Sequence, residues 1–261
     1  MITTERVTAL RPVSQAEVLA LIVPVYNEAA NFPALLAEVE RHIPPPFVMH
    51  VVYDCDEDPT LPVARACAHD RPWLRLVKNR HGRGVVAAIR TGFQEAGRGP
   101  ALVVMADLSD DLSIVPHLLA QYRRGHRIVC PSRYMRGGRQ LGGPRLKRWL
   151  SRSAGLSLRW LARFPTHDAT NNFRLYDAAL VHELEIESTG GFELALELTA
   201  KAFRRGESIA EVPTIWRDRT AGTSRFRLRK WLPKYLYWYL YALRPRRGRG
   251  RSPAEIAKRV P

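Results

Sequence analysis

Two apolar runs that stop abruptly in carboxylates constrain this chain more than any other feature. The first is Val51-Val52-Tyr53-Asp54-Cys55-Asp56-Glu57-Asp58, the second Leu102-Val103-Val104-Met105-Ala106-Asp107-Leu108-Ser109-Asp110-Asp111. Short Val-rich runs bounded by polar residues read as strands buried on both faces of a parallel sheet. Open α/β sheets bind ligands beyond the carboxyl ends of their strands, where these acids fall. The chain as a whole carries a formal net charge of +16. Acids gathered at two strand ends of so basic a protein call for a cation, and hard divalent cations are commonly shared with substrate phosphates.

The rest of the chain supplies the repeating units such a sheet needs. Strands are expected at Val18–Val25, Phe47–Asp54, Leu74–Val77, Ala101–Ala106 and Arg127–Pro131. Between them lie helical stretches: from Asn31, as N-cap, to His42, then Leu61–His69, Val85–Ala96 and Ser113–Arg124. Alternation of this kind predicts βαβ units and an α/β fold. After Arg133 it lapses into a glycine-bearing loop (Gly137, Gly138, Gly142, Gly143). A basic amphipathic helix over Pro144–Phe164, a strand at Asn172–Tyr176, a helix at Phe192–Arg205 and a strand at Ile209–Trp216 follow. The division expected is an extension over 1–17, one domain over 18–227, an aromatic amphipathic helix over 228–243 and a basic disordered tail over 244–261.

Composition narrows the setting. No stretch approaches the length of apolar residues that a spanning helix needs, and Met1 to Glu17 shows no secretory h-region. Cys55, Cys67 and Cys130 lack metal-site spacing and read as reduced thiols; a cytoplasmic location is expected. The basic excess implies an anionic partner. Nucleic acid is not expected, because the aromatic residues crowd into Lys230–Leu243 and do not interleave with a basic groove. That segment, flanked by Arg, reads either as an interfacial membrane helix or as a helix packed on its own domain.

Each candidate site residue has a plainer reading beside it. Asp54 is placed to accept hydrogen bonds from a nucleobase or ribose, whereas Asp56 and Asp58 equally serve turn chemistry or cap the next helix. Asp107 is the leading candidate for a metal or diphosphate site, and one of Asp110 and Asp111 would favour a helix start. The turn Asn79-Arg80-His81-Gly82-Arg83-Gly84 opens a helix whose N–H groups suit phosphate. Arg133, Arg139, Arg145, Arg148 and Arg152 either grip phosphate in bidentate fashion or form a solvated basic face. Arg219 to Arg225 is a second cationic loop.

Taken in order, these residues resemble a family 2 glycosyltransferase of GT-A fold, of the dolichol- or polyprenyl-phosphate mannose synthase type, from about Leu19 to Leu243. Val23-Pro24-Val25-Tyr26-Asn27-Glu28 is similar to the family's first-strand motif, and Asp54 to the second Asp of its nucleotide-binding pair. Ser132-Arg133-Tyr134, Asp168 with Thr170 to Tyr176, Glu211-Val212-Pro213 and the Arg219, Gly222, Ser224, Arg225 set also match. Tyr53 and Met105 stand where the family has further Asp residues, leaving Asp110 or Asp111 to complete a metal shell; Ser224-Arg225 replaces Ser-Lys.

The resemblance implies a Rossmann-like, mostly parallel sheet flanked by helices, with a basic amphipathic C-terminal helix. It implies an inverting hexosyltransferase that uses a nucleotide sugar and Mg²⁺ or Mn²⁺. Pro24, Tyr26, Asn27, Glu28, Asp54, Gly82, Gly84 and Asp107 would bind the donor, and Asp107 with Asp110 the metal. Arg133, Arg148, Ser224 and Arg225 would hold a polyprenyl phosphate, with Asp107, Arg133, Arg219 and Arg225 at the reaction centre. Peripheral attachment to the cytoplasmic membrane, and a membrane-anchored partner protein, would follow. A sugar or natural-product hydroxyl as acceptor would instead need a base, for which Glu193 and Glu197 are the nominees. A non-catalytic nucleotide-binding protein is the alternative from another class.

Overall fold

The structure, a computed structural model, describes residues 18–191, 193–218 and 228–244, with side chains of the last segment from 232 onward. The expected extension over 1–17, the 219–227 loop with Arg219, Ser224 and Arg225, and the tail beyond 244 lie outside the described residues.

Among the described residues, seven strands form one sheet. In chain order they are β1 (Leu19–Val25), β2 (Phe47–Tyr53), β3 (Leu74–Lys78), β4 (Pro100–Val103), β5 (Ile128–Ser132), β7 (Arg174–Asp177) and β8 (Ile209–Pro213), and in space β3-β2-β1-β4-β7-β5-β8. β7 alone runs antiparallel, between β4 and β5. A separate two-stranded sheet joins β6 (Arg139–Leu141) and β9 (Ile215–Arg217) in parallel.

β1 explains why the sheet is central. All seven of its residues are buried. Leu19, Leu21, Val23 and Val25 face α1 (Phe32–His42), α2 (Thr60–Ala68) and α4 (Val115–Arg123), whereas Ala20 and Ile22 face α3 (Val85–Glu95), α6 (Ala178–Glu183) and α7 (Leu194–Arg205). A strand buried on both faces needs apolar residues at every position, which is why the run is continuous. Gly92 lets α3 settle on the sheet, since a Cβ there would collide with Ile22.

Several local expectations are corrected. β4 ends at Val103, not Ala106, because the chain turns into the acidic loop, where Met105 N donates to Asp110 at 3.0 Å. The strand expected over 209–216 breaks at Thr214, whose N–H bonds the Ser132 carbonyl, so its second half pairs with β6 from within the expected glycine loop. Asn31 makes no side-chain cap; its amide donates to Glu28 Oε2 at 2.7 Å. A 3₁₀ turn at Leu112–Ile114 precedes α4.

Two more helices cover the β5 side. α5 (Arg145–Ala162) and α8 (Leu228–Leu243) meet α7, with Leu158, Phe164, Leu196, Ala200, Phe203, Trp238 and Ala242 packed together. α8 thus packs on the domain through one side. Over its described side chains it is aromatic, with Lys234 as its one cation, so the basic character expected of it is not seen there.

Candidate active site

β2 and β4 flank β1 on its two sides. The loops that carry Asp54 and Asp107 therefore leave the same edge of the sheet, from strands two spacings, about 10 Å, apart.

On the β2 side, Asp54 organises the turn ahead of α3. Its Oδ1 accepts from Asn79 Nδ2 and its Oδ2 from the Gly84 amide, both at 2.8 Å. Gly82 and Gly84 have φ of +92° and +112°, values that side chains rarely adopt. The Gly84 N–H that the sequence offers to phosphate is engaged by Asp54. Asp58 is a structural brace: it accepts from Asn27 N (3.1 Å) and Thr60 N (2.8 Å), while Thr60 Oγ1 accepts from Glu28 N at 2.8 Å. This ties the 26–28 loop, with Asn27 at φ +58°, to the loop after β2 and leaves Tyr26 exposed. Asp56 pairs with Lys78 toward the β3 edge.

On the β4 side, Asp107 is buried and accepts from Ser109 N at 3.2 Å. Burial first, and the Asp107 charge second, push the Asp110 carboxyl up to about 8. Asp111 turns the other way and caps the 3₁₀ turn through Ser113 N at 3.2 Å. Two adjacent carboxylates that repel in this way are a donor set fit for a divalent cation whose other ligands are phosphate oxygens. Among the described residues no group of three or more His, Cys, Asp or Glu is gathered for a metal, so the protein alone does not close a cage.

A third lobe faces these acids, close enough for the Arg133 charge to act on Asp110. Arg133 leaves β5 through a turn in which Ser132 Oγ accepts from Met135 N at 3.2 Å. Its guanidinium grips Asp168, Nε to Oδ2 at 2.6 Å and Nη2 to Oδ1 at 2.9 Å, and reaches Ser151 and Thr170. Burial alone would raise the Asp168 carboxyl, but Arg133 holds it below the ordinary range. Arg174 lies fully buried beneath, donating to the Asp168 carbonyl at 2.9 Å and the Ala195 carbonyl at 2.8 Å. Asn172 bonds the Gly191 carbonyl at 3.2 Å, and Gly191 presses on Val85 at the start of α3, which closes the circuit back to the Asp54 turn.

Among the other named residues, Arg148 is exposed on α5. Glu197 is buried and committed to Glu187 N, Ser188 N and Lys201, so it is no base. Glu193, 1% exposed, accepts from Gly190 N and lies 4.0 Å from Lys234 Nζ through Oε1, while its Oε2 has no hydrogen-bond partner among the described residues. Asp168, named from sequence only as the head of the matching Thr170 segment, acquires a role here as the partner of Arg133. Tyr235 on α8 feels the same pair: burial and the Glu193 charge push its hydroxyl up, with Arg133 and Asp168 also acting on it.

Comparison with known proteins gives this geometry a lineage. The Glycosyl transferase family 2 profile matches residues 20–184. A polyprenol monophosphomannose synthase of Mycolicibacterium smegmatis is 28% identical over 212 residues, covering 78% of this chain and 79% of that protein. An undecaprenyl-phosphate mannosyltransferase of Micrococcus luteus is 27% identical, covering 78% of this chain and 85% of its own length. In fold, the chain is similar to glucosyl-3-phosphoglycerate synthase of Mycobacterium tuberculosis, solved with Mn²⁺, UDP and glucosyl-3-phosphoglycerate. There the TM-score is 0.66 at 16% identity, over 90% of this chain and 86% of that one.

Proposed function

Since this chain belongs to glycosyl transferase family 2 and is thereby a glycosyltransferase, we propose that it moves a hexosyl group from a nucleotide diphosphate sugar to the phosphate of a polyprenyl phosphate. One observation carries the reading: a paired-carboxylate lobe at Asp107 and Asp110 faces a guanidinium lobe at Arg133 along the carboxyl edge of the sheet. The relatives named for polyprenyl phosphate acceptors support the acceptor class.

The nucleoside lies along the Asp54 turn and the 24–28 loop, with Asp54 and its Gly84 and Asn79 partners facing the base and ribose. Asp107 and Asp110 would hold Mg²⁺ or Mn²⁺ together with the diphosphate, and the chemistry such an ion supplies is neutralisation of the leaving group. Arg133, fixed by Asp168, orients the acceptor phosphate, with Arg148 at the entrance; Arg219, Ser224 and Arg225 are assigned to the same phosphate. An acceptor oxygen forms the new bond to the anomeric carbon as the bond to the diphosphate breaks, inverting the centre, and the electron pair leaves with the nucleoside diphosphate. A phosphate monoester has a second pKa of about 6, so its oxygen is already ionised at neutral pH and no protein base is required.

The hydroxyl-acceptor reading keeps one observation, the buried Glu193 Oε2 with no hydrogen-bond partner among the described residues. A panel of nucleotide sugars, offered with Mg²⁺ or Mn²⁺ and a short-chain polyprenyl phosphate, separates the two. A lipid-linked sugar that vanishes in Asp107→Asn and persists in Glu193→Gln is expected. No transfer with any donor, or transfer only to hydroxyl acceptors and lost in Glu193→Gln, overturns the proposal.

A further inference from the structure

Residues 163–173, between α5 and β7, form neither helix nor strand, yet they carry Asp168. With no ladder to hold it, a buried backbone depends on whichever side chains accept its N–H groups. Here that side chain is Glu211 on β8. Its Oε1 accepts from the Thr166 hydroxyl at 2.7 Å and the His167 amide at 2.6 Å. Its Oε2 lies 2.7 Å from His167 Nδ1; a carboxylate only accepts, so the ring proton sits on that nitrogen. Thr166 Oγ1 accepts in turn from Asp168 N at 3.0 Å. Gly155 of α5 closes on the His167 carbonyl so tightly that a Cβ would collide there.

Glu211 is itself fixed by the sheet. β8 pairs with β5 in parallel, Glu211 opposite Cys130, and β5 ends at Ser132, one residue before Arg133. Asp168 takes the Arg133 amide at 3.1 Å as well as its guanidinium. A closed circuit results: from β8 through Glu211 to the 166–168 segment, from Asp168 to Arg133, and along β5 back to β8.

We propose that Glu211 is the positioning residue for Arg133, setting the angle at which Asp168 presents the guanidinium to the acceptor phosphate. Asp168 has no solvent exposure and the Arg133 side chain is 11% exposed, so neither has room to correct a misplaced segment by swinging outward. Capping a turn takes one acceptor bond. Glu211 receives three, from two adjacent residues, which leaves the segment one placement. The inference rests on the proposed function only for what Arg133 grips.

The test reads Arg133 directly. In the nitrogen–proton NMR spectrum its Nε–H, identified by its loss in Arg133→Lys, should exchange slowly because Asp168 holds it. Glu211→Ala should speed that exchange and, with a short-chain polyprenyl phosphate, lower kcat about tenfold or more and raise the acceptor KM. Nucleoside diphosphate affinity should stay unchanged, because the Asp54 turn belongs to the other lobe. Glu211→Gln should recover most of the rate and protection, since its amide oxygen still accepts from Thr166 and the His167 amide. Thr166→Val, which removes the acceptor for Asp168 N and nearly keeps the volume, should reproduce the alanine effect and serves if Glu211→Ala fails to fold. Unchanged Nε–H exchange in the alanine and valine variants overturns the inference. So does a lowered Tm in both with kcat and acceptor KM intact, or a glutamine variant no better than alanine. If the wild type transfers no sugar from any donor, the proposed reaction falls, while faster Nε–H exchange in the variants still ties Glu211 to Arg133.

Discussion

Asp168 holds Arg133 at both arms of its guanidinium, at 2.6 and 2.9 Å, from a position with no solvent exposure. Removing one member of a buried pair leaves the other uncompensated, at a cost of roughly 3–5 kcal/mol. Asp168→Asn should therefore lower the urea midpoint steeply at neutral pH. Arg133→Lys keeps the charge and loses the fork, so it should cost less stability while still slowing transfer. The sign with pH follows from the depressed folded-state value of Asp168. Its stabilisation is fully present above the unfolded value of about 4 and is lost as pH falls through the lower folded one. Acid unfolding of the wild type should consequently be steeper than that of Asp168→Asn.

Asp110 behaves in the opposite sense. Its folded value of about 8 exceeds the unfolded one, so its contribution is complete below pH of about 4 and disappears as pH rises through 8. In EDTA, Asp110→Asn should stabilise the protein at pH 8.5 by on the order of 2 kcal/mol and much less at pH 4. Calorimetric unfolding at the two pH values checks this, and an equal effect at both would count against it.

Asp54→Asn should loosen the donor turn without unfolding the domain. The amide can satisfy Asn79 or Gly84, but not both, because one of its two polar atoms is now a donor. Titration calorimetry with nucleoside diphosphates should show affinity about tenfold weaker, the effect of losing one charge-assisted hydrogen bond.

Gly155→Ala tests the seat of α5. The added methyl must displace either the helix or the His167 carbonyl, at about 1–3 kcal/mol. Because α5 also carries Ser151 to Arg133, the variant should lose kcat as well as Tm. A Tm loss with kcat intact would show that the helix position is irrelevant to the site.

What was legible beforehand follows from what is local. β1 to β4 and α1 to α3 were expected within a few residues, because a run buried on both faces and an amphipathic helix each announce themselves in adjacent residues. The places of Asp54 and Asp107 at strand ends came from the same patterning. The expectation for β9 failed because a break at Thr214 depends on a carbonyl at Ser132, 82 residues away in the chain.

By itself, then, the sequence determined the layered α/β scaffold and the edge of it where acids accumulate, since both depend on short-range periodicity. Only the tertiary structure decided which charges are available there. It committed Asp58 to the 26–28 loop, Asp111 to a helix start and Glu197 to Lys201, locked Arg133 against Asp168, and left one side of α5 uncovered. Those outcomes turn on pairs brought together from distant segments, where the cost of burying a charge is met by whichever partner the fold delivers and not by any neighbour in the chain.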